Sequence, residues 1–287
     1  MKRTVLLLYF VIIVVLPLFS YQWPSKKEFL DSFFGSVKGK TVQDGIEFKG
    51  NNQAIYPLTD GEILYYQDNF QFGDLNYNGN EGNILVLKHK GEFTSFYRNF
   101  KPINKIDFSK NMKQSEMLGV SEEGRDNFIF SIYDNIEMSY INPQQILPYL
   151  GDKRNPVISS LYLDNEGKRY KISRNKKVPA GLSTLYIDAW DVVRIGNKLR
   201  RFAPFSLYVF IDGFEKYNVS YSSIKEIDDK LYLCGDEDIL LDKFVSGNGL
   251  FFGGDVYFTR GRTLIEIVVK DIAGNEASKS YSIVIGK

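Results

Sequence analysis

The chain has 287 residues, with 36 Lys and Arg against 35 Asp and Glu and a net charge of +1. That balance lacks the basic footprint of a nucleic-acid binder and gives no electrostatic reason for a membrane partner. An apolar content of 44% and an aromatic content of 15% exclude a disordered chain and favour sheet, in a length that suits two domains.

The first 20 residues read as a targeting segment. Met1-Lys2-Arg3 supplies positive charge, Thr4 to Phe19 is nearly all apolar, and Ser20 is a small residue before a cut. The segment is either a cleaved signal peptide or a retained N-terminal anchor, so the chain is expected to be exported. Membrane contact is expected only through residues 4–19. The location implied is periplasmic or elsewhere in the cell envelope.

Ser25 and Glu28 have capping-box spacing, and Phe29, Leu30, Phe33 and Phe34 form an apolar stripe before Gly35. One short helix is expected there. From about Val42 to Ile141 the pattern is strand and turn. Residues 54–68 are expected as a strand pair bent at Asp60-Gly61. Residues 68–83, rich in Asn and Gly, read as a long surface loop. Residues 82–100 read as a hairpin turning near Lys90-Gly91, and residues 113–134 as a short strand, a Gly-flanked loop and then the closing strand.

Pro148, Gly151, a charge cluster and Pro156 mark a linker, which divides the chain into a domain over 25–150 and another over 155–287. Seven strand-like runs separated by turn signals follow, as expected of an antiparallel sandwich of immunoglobulin-like form. The fold class is therefore all-β in both parts. Cys234, the single cysteine, excludes an internal disulfide and is expected as a buried structural thiol.

The first domain resembles the lysostaphin/LytM-type zinc endopeptidases, whose fold is called the duplicated hybrid motif and which cut peptide cross-links in peptidoglycan. The likeness covers roughly Phe33 to Leu150. It rests on "FFGSVKGKTVQDGIEFKG", "IYPLTDGEIL", "GNILVLKHKGEFTSFYRNF" and "LGVSEEGRDNFIFSIYD…YINPQQIL", whose order and spacing are similar to the family's segments. Carried over residue by residue, the resemblance places Gln43 at the first zinc-ligating His and Glu47 at the Asp ligand. Asn99 stands at the His of the third segment. Asn127 and Ile129 stand at the two His positions of the closing strand.

A catalytic zinc needs about three protein ligands and an open water position. The chain owns one His, His89, between Lys88 and Lys90, where it is expected as an exposed turn residue. Ile129 has no ligand atom. No Ser or Cys beside a base is evident, and Asp44 and Glu47, three apart, need not face one another. Asp188, Asp191 and Asp271 raise the thought of calcium, against the expectation that acidic residues at strand ends are solvated. No cofactor is expected, because the zinc implied by the family lacks its ligands.

The function this implies is an exported, non-catalytic module that binds peptidoglycan, a cell-wall hydrolase or another envelope protein. Inactive relatives of this kind resemble activators of cell-wall amidases and envelope scaffolds. Its groove would be lined by Gln43, Glu47, Asn99 and Asn127, with Tyr97 as a flat apolar contact. The alternatives are a divergent zinc endopeptidase and a purely structural or adhesive envelope protein. An open cleft favours binding, whereas a plug of side chains favours scaffolding.

Overall fold

The computed structural model describes residues 21–38, 41–67, 83–121, 127–235, 238–245 and 249–286. The expected targeting segment, residues 1–20, and nearly all of the Asn- and Gly-rich loop lie outside the described residues. Among the described residues no helix is long and apolar enough to cross a membrane.

The structure is all-β. One large sheet runs through the strands Asn111–Met112, Gly61–Gln67, Ile84–His89, Phe93–Arg98, Phe128–Asp134 and Ser139–Ile141. The expected hairpin is present, with Leu87 opposite Ser95 and Lys88 opposite Thr94. The closing strand lies between Phe93–Arg98 on one edge and Ile46–Phe48 on the other. Alternation drives these pairings. In Phe128–Asp134, Phe128, Phe130 and Ile132 are buried on one face at period two, and Ser131 between them is buried as well, so the middle of the strand is covered on both faces.

Two expectations fail in the first 70 residues. The stretch after Ser25 is one turn of 3₁₀ helix, Lys27–Phe29, followed by the strand Leu30–Ser32. Leu30 pairs with Phe48 and Ser32 with Glu47. Pairing with a buried strand outweighs a weak helical preference, and Ser25 Oγ donates to the Ala54 carbonyl instead of capping a helix. Asp60-Gly61 is not a hairpin turn either. Ala54–Ile55 pairs with Gly119–Ser121 in a small three-stranded sheet, whereas Gly61–Gln67 pairs with Ile84–His89 in the large one. The bend carries the chain from one sheet to the other.

The second part is a β-sandwich. Val157–Asn165, Gly181–Ile195 and Phe251–Phe258 belong to one sheet; Ser206–Ile211, Gly261–Lys270 and Glu276–Gly286 belong to the other. Leu161, Leu185 and Ile187 of the first sheet and Leu207, Val209, Ile265 and Ile267 of the second share one core. All pairings within the sandwich are antiparallel except that of Lys176–Pro179 with Glu276–Gly286.

The two parts are joined by more than a linker. The large sheet continues from Ser139–Ile141 into Ser223–Ile227, with Tyr140 opposite Ile224. Asn142 Nδ2 donates to the Tyr221 carbonyl at 2.9 Å. Phe33 stacks on Phe202 with ring centroids 3.9 Å apart and belongs to the first core, while its neighbour Phe34 is buried in the second. Gly35 follows with φ +78°, and a Cβ there would lie 2.5 Å from Tyr221 Cδ1. Glycine is required at that position for both conformation and space.

Candidate functional site

The site is built on the edge shared by Ile46–Phe48 and the closing strand. Register places Ile129 opposite Glu47 on one side and Arg98 on the other. Glu47 is 7% exposed. Its Oε2 accepts from Ser32 Oγ at 2.7 Å and from Lys38 Nζ, and its Oε1 accepts from Asn127 Nδ2 at 2.8 Å. Lys38 Nζ also pairs with Asp31 at 3.2 Å, and Asn127 Nδ2 reaches Asp31 Oδ2 at 3.3 Å. Arg200, from the second part of the chain, lies 3.6 Å from Asp31 Oδ1. Burial alone would lower the Lys38 pKa, but the hydrogen bond and charge of Glu47, with those of Asp31, hold its ammonium above the ordinary value.

Asn99 closes the other side. Its backbone is left-handed, with φ +63°, a region that Asn tolerates better than most residues. Its Nδ2 donates to the Asn127 carbonyl at 3.1 Å, and it is only 3% exposed. Gln43 sits in the turn before, held through its backbone by Ser36 and Gly35. The fold brings Glu47, Asn99, Asn127 and Ile129 together, with Gln43, Asn127 and Ile129 half-buried. Glu47 and Asn99 are buried, and Tyr97, expected as a ligand contact, is fully buried against Phe128 and Phe130.

These residues do not fit a zinc ion. The Glu47 carboxylate is engaged by one cation and two further donors. The Asn127 amide presents N–H groups toward the carboxylates, and Ile129 offers no donor atom. Lys38 supplies from within the chain the positive charge that a metal would bring. Asp44 belongs to a separate arrangement, accepting from Arg98 Nη2 and Ser131 Oγ, so Asp44 and Glu47 are not a catalytic pair.

His89 is not an exposed turn residue. It ends Ile84–His89 and is 4% exposed. Its Nδ1 lies 3.1 Å from the Asp60 carbonyl, and its Nε2 lies 2.6 Å from Ser95 Oγ. Ser95 Oγ is in turn 3.1 Å from Tyr97 OH, which accepts from the Leu58 N–H at 2.7 Å. With Nδ1 donating to the carbonyl, Nε2 is an acceptor and the imidazole is neutral; burial lowers its pKa. A Ser and a His therefore do stand side by side, contrary to the sequence reading. Ser95 is fully buried, and this chain of bonds serves the core rather than a substrate. The missed signal was parity, since His89 shares its strand face with Leu85 and Leu87.

The acidic residues also differ from expectation. Asp188 is partly buried near Tyr281. Asp191 and Asp271, by contrast, are 6% and 4% exposed and lie with Asp152 in one cluster. Burial, reinforced by the charges of Asp271 and Asp152, pushes the Asp191 carboxyl up to about 7. Cys234, expected to be buried, is partly exposed at the end of Lys230–Leu233.

No curated protein sequence matches the chain. A protein-family model matches residues 155–286. Among solved structures, Csd3 of Helicobacter pylori aligns with 46% of this chain and 34% of its own, at 16% identity and a TM-score of 0.36. The chain thus spans well under half the length of Csd3. The complex of SpoIIIAH and SpoIIQ aligns with 44% of this chain and 99% of its own, at 14% identity and a TM-score of 0.34. A putative peptidase M23 from Pseudomonas aeruginosa aligns with 41% of this chain and 49% of its own, at 16% identity and a TM-score of 0.27.

Proposed function

We propose that this chain is an exported, non-hydrolytic protein of the cell envelope. Its first domain is a degenerate relative of the lysostaphin/LytM-type endopeptidases, its second an immunoglobulin-like sandwich, and it acts as a scaffold or hydrolase-regulating contact module. One observation carries the reading. The Glu47 carboxylate, at the position of a metal ligand, is bound by Lys38, Ser32 and Asn127. A hydrolytic zinc requires an open position for water, and here that space holds the chain's own ammonium and amide.

The plug also selects among the non-catalytic readings. Of the expected lining, Glu47, Asn99 and Tyr97 are buried, whereas Gln43 and Asn127 are half-buried. Contact with peptidoglycan or with a cell-wall hydrolase is therefore assigned to the outer surface, where edge strands such as Phe214–Ser220 and Lys168–Lys171 offer strand addition.

The test is digestion of purified peptidoglycan by the full-length protein with added zinc. The expected result is no release of cross-linked peptide fragments. Release that a chelator stops would replace this reading with that of a divergent zinc endopeptidase.

A further inference from the structure

Three carboxylates meet where the linker crosses the sandwich. Asp152 lies in the stretch between the two parts, Asp191 on Gly181–Ile195, and Asp271 just after Gly261–Lys270. One side-chain oxygen from each lies within 4.8 Å of the others. They face a cavity of about 20 Å³, room for one water-sized occupant, lined also by Trp23 and Tyr149. We propose that Asp152, Asp191 and Asp271 bind a calcium ion that fastens the interdomain linker to the sandwich. This goes beyond the proposed function and does not depend on it.

The spacing fits the ion. Oxygens held on calcium at about 2.3–2.6 Å stand at most about 5.2 Å apart, and the cluster lies inside that limit. An all-carboxylate set of hard oxygens suits calcium, whereas magnesium demands shorter, near-octahedral contacts and keeps its waters.

Charge points the same way. Among the described residues, no Lys, Arg or His forms an ion pair with any of the three. The charge of Arg154 acts on Asp152 without closing an ion pair, and three acidic groups packed together with no paired cation repel one another and are costly to bury.

The hydrogen bonds leave the needed atoms open. The Asp152 Oδ2 atom is buried with no partner. Asp191, only 6% exposed, accepts a single bond, from the Val192 N–H to Oδ1 at 2.7 Å, and is one of the residues that line the cavity. The donors that are present hold the groups in place. Asn275 binds Asp271 through its N–H at 2.8 Å and its Nδ2 at 2.6 Å, and the Arg154 N–H reaches Asp152 Oδ1 at 3.2 Å. Outer partners orient ligating carboxylates in this way while leaving lone pairs for a metal. Trp23 Nε1 donates to the Pro148 carbonyl at 2.9 Å, so the start of the described chain is tied to the same corner.

The test is calorimetric titration of chelator-stripped, full-length protein with calcium chloride, with terbium emission excited through Trp23 as a second readout. The expected result is one equivalent bound with Kd of about 0.1–1 mM, the range of extracellular calcium modules, and magnesium at least about tenfold weaker. Saturating calcium should raise Tm by about 5 °C. Asp191→Asn and Asp152→Asn should each abolish uptake. Asp164→Asn, in a surface pair with Arg169, should leave it unchanged. Asp152 is less buried than the other two, so its variant reads the site even where Asp191→Asn fails to fold. No uptake by the wild type up to about 10 mM calcium, or uptake that survives Asp152→Asn, overturns the site.

Discussion

Asn127 Nδ2 donates to Glu47 Oε1 at 2.8 Å, so two positions that the resemblance assigns to metal chemistry are bonded to each other. The bond is buried on the glutamate side and backed by Ser32 and Lys38. A polar network of this kind stabilises when all its members are satisfied and costs most when one is removed.

Asn127→Ala takes donors from both Glu47 and Asp31. The expected loss is about 1–3 kcal/mol, read as a lower urea midpoint at unchanged slope. Lys38→Ala is expected to cost less, about 1 kcal/mol, because the lysine side chain is 41% exposed and its pairs are screened. A larger effect at Lys38 than at Asn127 would mean that charge rather than amide donation holds the plug.

His89 gives the stability a defined pH dependence. Burial depresses its pKa below the ordinary 6.5. The unfolded chain therefore binds a proton more readily than the folded one. The stability held by the neutral imidazole is complete above about pH 6.5 and declines as pH falls toward the folded value. Asp191, whose pKa is raised, acts in the opposite direction over part of this range. The informative quantity is thus the difference between wild type and His89→Gln. That difference in Tm should shrink between pH 7.5 and about pH 5. A difference independent of pH would show that His89 does not lose its proton preference on folding.

Tyr97→Phe removes the acceptor for the Leu58 N–H and a partner of Ser95 inside the core. The expected cost is about 1–3 kcal/mol, from a buried donor left unpaired. Denaturant unfolding measures it. A neutral result would mean that Leu58 finds another acceptor.

Gly35→Ala tests the joint between the two cores. The positive φ and the 2.5 Å approach of its Cβ to Tyr221 both oppose a side chain. The expected loss is about 2–4 kcal/mol. Because the large sheet and Phe33–Phe202 stacking cross from one part to the other, the wild type should unfold in one calorimetric transition and the variant in two. Two transitions already in the wild type would contradict the coupling.

The closing strand and the hairpin before it were legible because apolar residues recur along them and Lys90-Gly91 marks the turn. The positions of Glu47, Asn127 and Ile129 came from the resemblance, not from alternation. Lys27 to Ser32 was misread because an apolar stripe suited either a helix or a strand, and its partner, Ile46–Phe48, lies beyond local view. His89 was judged by its charged neighbours, although its parity with Leu85 and Leu87 placed it inward. Asp191 carried a similar sign, since it shares the inward face of its strand with Val193 and Ile195. Its meeting with Asp152 and Asp271 was beyond reach, because three distant segments supply the cluster. The plug at Glu47 was likewise hidden, because Lys38 reaches it only after the chain has turned back.

The most direct test is zinc binding at Glu47, measured by equilibrium dialysis of the full-length protein beside Glu47→Ala. If Lys38 and Asn127 close the position, the two proteins retain the same zinc. One equivalent of zinc held by the wild type and lost in Glu47→Ala would contradict a plugged site and restore the case for metal-dependent hydrolysis.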